Sequence, residues 1–472
     1  MYFCCLFIIS ILALTDSSIV YPLTGDISNG YLSVSVEVGK DNQSKNGNVF
    51  PLLVDVSSSA TMIPDKDCTS CKQDVLYDSS QSSHYAPVTC SDDFCQIALT
   101  EYCPVHHTSD NRCCDSHDRN LCLWDSTIQF NTKYPASGGI VREMVTVSNV
   151  TVETHIIDIL DSEFTRLPGD NVGILGIGEK SCNPTCVAPI YHDIMKSIDP
   201  SYSEKDMKIS ICFGRKEGYL VFGDIDPSIQ ADIPVISKQR VGEVGYTFDV
   251  QDLLLNHESF TGMTAIGISR VAILETAVKE IQLPQDLYDL YRKKMEKEYS
   301  HLPGVASGEI FENKGITSVD GFPTFDIHIP GAILRIPPEL YFMTETVSGS
   351  EYYFLQIIPN VFENTVQIGL CALRGFVTTF KYDTVSFSMV NHDFCGKDEM
   401  ISGLVEVASD SNQNDLWHPA IILSISFCLL CIILMVYLCC NPKSKKLKVT
   451  ESFKPTPQEP FRDTQQSLMS TV

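Results

Sequence analysis

The sequence predicts a mostly-β domain of two related lobes with a few short helices, followed by one C-terminal transmembrane helix. Three observations predict it. Between about Gly30 and Cys395, short segments of alternating apolar and polar residues are separated by turn residues, the pattern of half-buried strands. One plan, an apolar strand running into an acid and then small residues, occurs at Asp55 and again at Glu275. Finally, Pro419 to Cys440 is a run of 22 residues without a charge, roughly 33 Å long as a helix and so able to cross a bilayer. The expected organisation is a signal peptide over 1–18, an N-terminal β lobe over 25–200 with a cysteine-rich insert at 68–122, and a C-terminal β lobe over 207–395. A polar stalk at 396–416, the membrane helix at 419–440 and a cytoplasmic tail at 441–472 follow.

The elements follow in chain order. Tyr2 to Leu14 is apolar except for Ser10 and has the length of a signal-peptide core, although no basic residue precedes it. Tyr31 to Val38 alternates at period two, and Val49 to Val56 is a largely apolar β-type run. The cysteine-rich stretch has no period and reads as stapled loops. A strand pair is expected at Ser126 to Phe130 and Ile140 to Val147. Ile190, Ile194 and Ile198 mark one helix; Pro284, with Leu287, Leu290 and Tyr291 on one face, opens another. Trp417 sits at the outer edge of the membrane run, and Lys443, Lys445, Lys446 and Lys448 follow its inner end. A type I topology, lumen-out and tail-in, is therefore expected.

Net charge is −25, which argues against nucleic acid and anionic lipid as partners of the ectodomain. Of 19 cysteines, Cys4 and Cys5 lie in the signal and Cys428, Cys431, Cys439 and Cys440 in the membrane run. The rest, in an oxidising compartment, are expected to form disulfides with one thiol over. The disulfide cysteines are Cys68, Cys71, Cys90, Cys95, Cys103, Cys113, Cys114, Cys122, Cys182, Cys186, Cys212 and Cys395. His106, His107 and His117 lie among them, but the spacing matches no zinc pattern, and neither a metal nor a cofactor is expected. Asn42 and Asn149 head glycosylation sequons. Ser470, Thr471 and Val472 have the form of a C-terminal ligand for a PDZ-type partner.

The chemistry rests on the repeat. Phe50-Pro-Leu-Leu-Val-Asp55-Val-Ser-Ser-Ser59 and Val271-Ala-Ile-Leu-Glu275-Thr-Ala-Val278 each end a strand in an acid. Downstream, each half has an apolar residue before glycine: Ile174-Leu175-Gly176 and Gln367-Ile368-Gly369. A carboxylate on a buried strand is costly unless hydrogen-bonded or functional. Two of them in equivalent halves predict acids meeting at a pseudo-twofold axis. No Gly-x-Ser-x-Gly, His-Glu-x-x-His or Gly-x-Gly-x-x-Gly segment supports another enzyme class.

On these residues the chain resembles the pepsin family, whose halves each carry Asp-Thr/Ser-Gly-Thr/Ser and a later hydrophobic-hydrophobic-Gly. Asp170-Asn-Val-Gly-Ile-Leu-Gly-Ile-Gly178, Gly218-Tyr-Leu-Val-Phe-Gly-Asp-Ile-Asp226 and the stretch from Gly369 to Phe387 resemble further family segments. The insert, notably Tyr77 to Cys90 with Cys95 beyond, is similar to the nepenthesin-type insert, found also in membrane-anchored plasmepsins. The resemblance implies a bilobal acid-protease fold, a disulfide between Cys212 and Cys395, and a catalytic pair at Asp55 and Glu275. Ser58, Thr276, Gly176 and Gly369 would support that pair, and Phe130 would stand at the flap tyrosine's place. Such a pair shares one proton, because like charges so close cannot both ionise, and it activates a water to hydrolyse peptide bonds.

The sequence departs from the pattern where it matters. Val56 replaces the cross-linking threonine, and Ser57 and Ala277 replace glycines. Glu275 replaces aspartate, Val278 replaces a hydroxyl residue, and Leu370 follows Gly369 in place of aspartate. At Ser57 a side chain is expected to crowd the turn, while Ser58 is expected to donate to Asp55. No room is expected for a prosegment before Tyr31. The expectation is a pseudoprotease that binds an extended peptide or protein; the alternative is an acid endopeptidase with an Asp55/Glu275 dyad.

Overall fold

The computed structural model describes residues 18–39, 48–95, 121–125, 136–162, 167–178, 181–182, 186–225, 236–239, 246–261, 270–330, 332–360, 365–382, 384–390, 395 and 403–407. Within residues 1–408, which form one compact unit, the fold is mostly β. The first half contains β1 (Ile19–Asp26), β2 (Tyr31–Val38), β3 (Asn48–Asp55), β4 (Met62–Pro64), β5 (Ala86–Pro87), β6 (Leu123–Asp125), β7 (Ala136–Val147) and β8 (Val150–Ser162). β9 (Gly173–Gly176), β10 (Ser181–Cys182), β11 (Cys186–Val187) and α1 (Ile190–Ile198) complete it.

The second half begins with β12 (Lys208–Phe213), β13 (Glu217–Phe222), β14 (Ile236–Gln239), β15 (Thr247–Val250), β16 (Asp252–Leu255), β17 (Glu258–Ser259), β18 (Arg270–Leu274), β19 (Ile281–Pro284) and α2 (Gln285–Glu298). It continues through β20 (Phe325–Ile329), β21 (Ala332–Ile336), α3 (Pro338–Tyr341), β22 (Phe342–Val347), β23 (Ser350–Leu355), β24 (Ile357–Asn360) and β25 (Val366–Ile368). Last come α4 (Leu370–Leu373), β26 (Phe376–Lys381), β27 (Thr384–Met389) and β28 (Leu404–Val407).

Local chemistry sets these elements. Leu52, Leu53 and Val54 are all buried, because β3 runs parallel to β9 inside the sheet and is covered on both faces. β7 and β8 form a long antiparallel hairpin with Val147 opposite Val150. Its turn residue Ser148 has φ 57°, and Asn149 is exposed beside it. In α1 the buried face is Ile190, Tyr191, Ile194 and Met195. Ile198 is exposed, since eight residues at 100° each rotate it off the line of Ile190. α2 follows directly on Pro284 and buries Leu287, Tyr288, Tyr291 and Met295, with Leu290 partly buried against the same core.

The largest sheet has the order β14-β27-β26-β12-β13-β1-β2-β3-β9-β4-β8-β7-β5 and therefore crosses both halves. The two halves join at β1, which pairs with β13 on one side and β2 on the other. β1 thus begins at Ile19, ahead of the lobe start expected at 25. The first strand completes sheet pairing for the second half as well as the first. Around it Tyr21, Phe222, Tyr191, Tyr246 and Phe380 pack as a chain of ring contacts or a shared core.

Cys68 bonds to Cys71, Cys95 to Cys122 and Cys212 to Cys395; Cys90 is disulfide-bonded as well. The backbone places Cys182 opposite Cys186. Cys371 is a free, buried thiol whose titration burial pushes up to about 12. Residues 404–407 were expected in a polar stalk; they form β28 instead, pairing with β21 and burying Val405. Three apolar residues in four are enough to extend an open sheet edge there. No helix among the described residues is long and apolar enough to cross a membrane. The signal region, Asn42, Cys103, Cys113, Cys114, Phe130, the run 419–440 and the tail to Val472 lie outside the described residues.

Candidate active site

Each half folds its acid into the same strand arrangement. β9 lies between β3 and β4, parallel to the first and antiparallel to the second, and β4 runs parallel to β8. β25 lies between β18 and β19 in the same senses, and β19 runs parallel to β24. The ladder sets Asp55 opposite Gly176. In the second half it sets Leu274 opposite Ile368, and the Glu275 N–H donates to the Ile368 carbonyl at 3.1 Å. Gly369 therefore stands to Glu275 as Gly176 stands to Asp55.

Both glycines are required by close approach of backbone. A Cβ on Gly176 would lie 2.5 Å from the Ala60 carbonyl oxygen, and one on Gly369 would meet the carbonyls of Glu280 and Val278. Neither obstacle is a side-chain tip that could rotate away. A Cβ on Gly178 would likewise lie 2.5 Å from the Val56 carbonyl oxygen. The sequence repeat thus corresponds to two matching turns.

Thr276 brings those turns together. The Val56 N–H donates to Thr276 Oγ1 at 3.0 Å, and the Thr276 hydroxyl donates to the Val54 carbonyl at 2.8 Å. One fully buried hydroxyl thus straddles the Asp55 peptide from 220 residues away. Val56 is equally buried but carries no hydroxyl to reach back. Ala277 and Val278 are also buried, and Ala277 packs into the cluster around Leu53, Met62 and Ile174 of the first half.

Asp55 and Glu275 each retain only 3% of their surface in contact with solvent. Burial raises the Asp55 carboxyl above its usual range. The Ser57 hydroxyl, the Ser57 N–H and the Ser58 N–H act in the opposite direction, by favouring the charged form. Ser57 differs from expectation. Its side chain fits beside the turn, and both its N–H (2.8 Å) and its hydroxyl (2.6 Å) donate to Asp55 Oδ1. The Ser58 hydroxyl, expected on Asp55, instead closes on the backbone of Ala60. The sequence signal for Ser57 was present in the pair Asp-x-Ser, whose second residue readily hydrogen-bonds the first. Among the described residues, no group of three or more His, Cys, Asp or Glu is placed to hold a metal ion.

Residues 33–224 match the family model described as xylanase inhibitor N-terminal. That model describes a domain of the pepsin-like aspartic protease family. The match runs from within β2 to just beyond β13, so the matched segment holds Asp55, the insert and Gly176. Glu275, Thr276 and Gly369 come later in the chain. No curated protein matches the chain. The second turn is tied to the matched segment by its geometry: the same three-strand weave and the Thr276 hydroxyl across the Asp55 peptide.

Proposed function

We propose that this chain is a membrane-anchored, pepsin-like family member whose ectodomain binds an extended polypeptide and in which hydrolysis is lost or severely impaired. The observation that carries this reading is the one-sided cross-link between the acid turns. Thr276 grips Val54 and Val56, and the valine at 56 returns nothing. Glu275 carries its carboxylate about one C–C bond farther out than aspartate, where about 1 Å of misplacement can cost roughly a hundredfold in rate. Val278 offers Glu275 no hydroxyl. Peptide capture by strand-like backbone pairing between the halves asks less of the acids than hydrolysis does.

In this reading 1–18 direct the chain into the secretory pathway, the ectodomain is luminal or extracellular, and 419–440 anchor it. Asn42 and Asn149 carry glycans, and Ser470, Thr471 and Val472 offer the tail to a cytoplasmic PDZ-type partner. The insert is of nepenthesin type.

One observation favours a second reading. The carboxyl of Asp55 is raised by burial, as suits an acid that exchanges a proton in an acidic lumen. Asp55 would then polarise a water while Glu275 supplies the shared proton. The test is to secrete residues 19–416 and assay a diverse peptide library from acidic to neutral pH beside Asp55→Asn. No cleavage, with retained peptide binding, is the expected result; pepstatin-sensitive cleavage absent from the control would overturn it. The combined change Val56→Thr, Ser57→Gly, Glu275→Asp, Ala277→Gly and Val278→Thr should restore measurable hydrolysis.

A further inference from the structure

The Asp55 turn contains a donor that the resembled motif, with glycine at that position, does not supply. The same local closure occurs twice elsewhere among the described residues. Ser80 donates its N–H (3.1 Å) and hydroxyl (2.6 Å) to Asp78 Oδ1. Ser201 does the same to Asp199 Oδ1, at 2.9 and 2.6 Å. In all three cases one carboxylate oxygen takes both donors from the residue two positions on. At Asp26-Ile27-Ser28 only the Ser28 N–H reaches the acid, so the local dihedral angles and not the Asp-x-Ser pattern alone decide whether the hydroxyl joins.

What changes is the setting. Asp78 and Asp199 lie at the surface, and both carboxyls are held below their usual range, Asp78 first by the Lys66 ammonium and then by the Ser80 hydroxyl, Asp199 first by the Ser201 hydroxyl. At Asp55 the same donors are outweighed by burial. A hydrogen bond to a carboxylate is worth more away from water, so the buried copy of this turn binds its acid more firmly than the exposed copies do. Ser57 itself is half-buried, which keeps its hydroxyl at the boundary between the acid and the exterior.

We propose that Ser57 is a positioning residue of this site: its hydroxyl and N–H together fill Asp55 Oδ1 and fix the carboxylate, so that a bound hydroxyl or water reaches Asp55 only through Oδ2. The proposal rests on the reading of Asp55 as the acid of the site. It adds a second obstacle to hydrolysis, distinct from the missing cross-link. One carboxylate oxygen is satisfied from within its own turn before any ligand arrives. Because both donors favour the charged form, losing the hydroxyl moves the titration of Asp55 upward.

The test uses the full-length chain in detergent. Asp55 is titrated through the protonated-carboxyl infrared band that Asp55→Asn abolishes, in the unsubstituted protein and in Ser57→Ala, Ser57→Gly and Ser57→Thr. Loss of the hydroxyl in Ser57→Ala should raise the proton affinity of Asp55 about tenfold, one charge-assisted hydrogen bond's worth. Ser57→Thr, which keeps a hydroxyl, should stay within about twofold of the unsubstituted chain on the same scale. If Ser57→Ala fails to fold, Ser57→Gly, the residue of the resembled motif, takes its place in the comparison. Alanine and glycine variants within twofold of the unsubstituted chain, or a threonine variant displaced as far as the alanine one, would overturn the proposal.

Pepstatin, whose central hydroxyl seeks a carboxylate oxygen, serves as the binding probe in a parallel arm. Tighter binding by Ser57→Ala supports the occupied-oxygen account. If pepstatin binds no variant while the infrared titration moves, the ligand-binding reading fails and the role of Ser57 stands. If pepstatin binds all variants alike and the titration is unmoved, the reading stands and the role of Ser57 fails.

Discussion

In the first half of the chain, Asp55 ends a strand paired in parallel with Gly173–Gly176, and its carboxylate is held by donors two and three residues away. In the second, Glu275 ends a strand paired in parallel with Val366–Ile368, and it is the neighbouring Thr276 that acts, reaching across to the first half. The backbones match while the side chains divide the labour. In the first turn Ser57 holds Asp55; in the second Thr276 supplies the tie between the turns. The matching backbone is enforced by close-packed glycines, whereas one hydroxyl is enough to tie the turns, so position 56 can carry a valine while position 276 keeps its threonine.

The most severe way to break the comparison is to attack that shared backbone. Gly176→Val and Gly369→Val should each cost about 4 kcal/mol or more, since the clash is with carbonyl groups that cannot move aside. Urea unfolding of the two variants should show similar losses; a large loss in one half alone would mean the turns are not equivalent. Next come the staples, which differ between halves. Removing Cys212–Cys395, with a sequence separation of 183, should cost about 4 kcal/mol, against about 2 for Cys68–Cys71 with a separation of 3. Equal costs would show that loop length is not what these bonds constrain.

The cross-link gives a smaller and more pointed contrast. Thr276→Val should destabilise by about 2 kcal/mol, because it leaves a buried N–H at Val56 and a buried carbonyl at Val54 without their partner. Val56→Thr, which adds the reciprocal hydroxyl, should fall within about 1 kcal/mol of the unsubstituted chain. If the two changes cost the same, the tie is not one-sided.

The finest distinction is in pH. Burial makes folded Asp55 hold its proton more tightly than the unfolded chain does. Its charged form therefore counts against folding, and stability falls as pH rises from the ordinary carboxylate range through the raised one. Asp55→Asn should remove that fall, so its stability relative to the unsubstituted chain improves with pH over that window and is flat below it. A relative stability that instead worsens over the same window would mean that the donors of Ser57 and Ser58 outweigh burial.

Much of this architecture was readable before any coordinates. The strands Tyr31–Val38 and Val49–Val56, the helices after Pro189 and Pro284, and the paired acids followed by paired glycines are local patterns, and local patterns survive in the sequence. Other features were not readable for identifiable reasons. Leu404 to Val407 looked like part of a polar stalk because four residues carry too weak a period. Which of two adjacent serines faces Asp55 depends on the turn's dihedral angles, and composition is silent on those.

By itself the sequence determined a mostly-β chain with two acid-bearing strands and a glycine held in reserve for each, because periodicity and acid placement are written residue by residue. Only the tertiary structure decided that β1 serves both halves, that Thr276 closes over the Asp55 peptide, and that Ser57 holds the acid. Those contacts join residues as distant as 220 positions, or depend on angstrom-scale turn geometry, and neither kind of information has a period that a sequence can display.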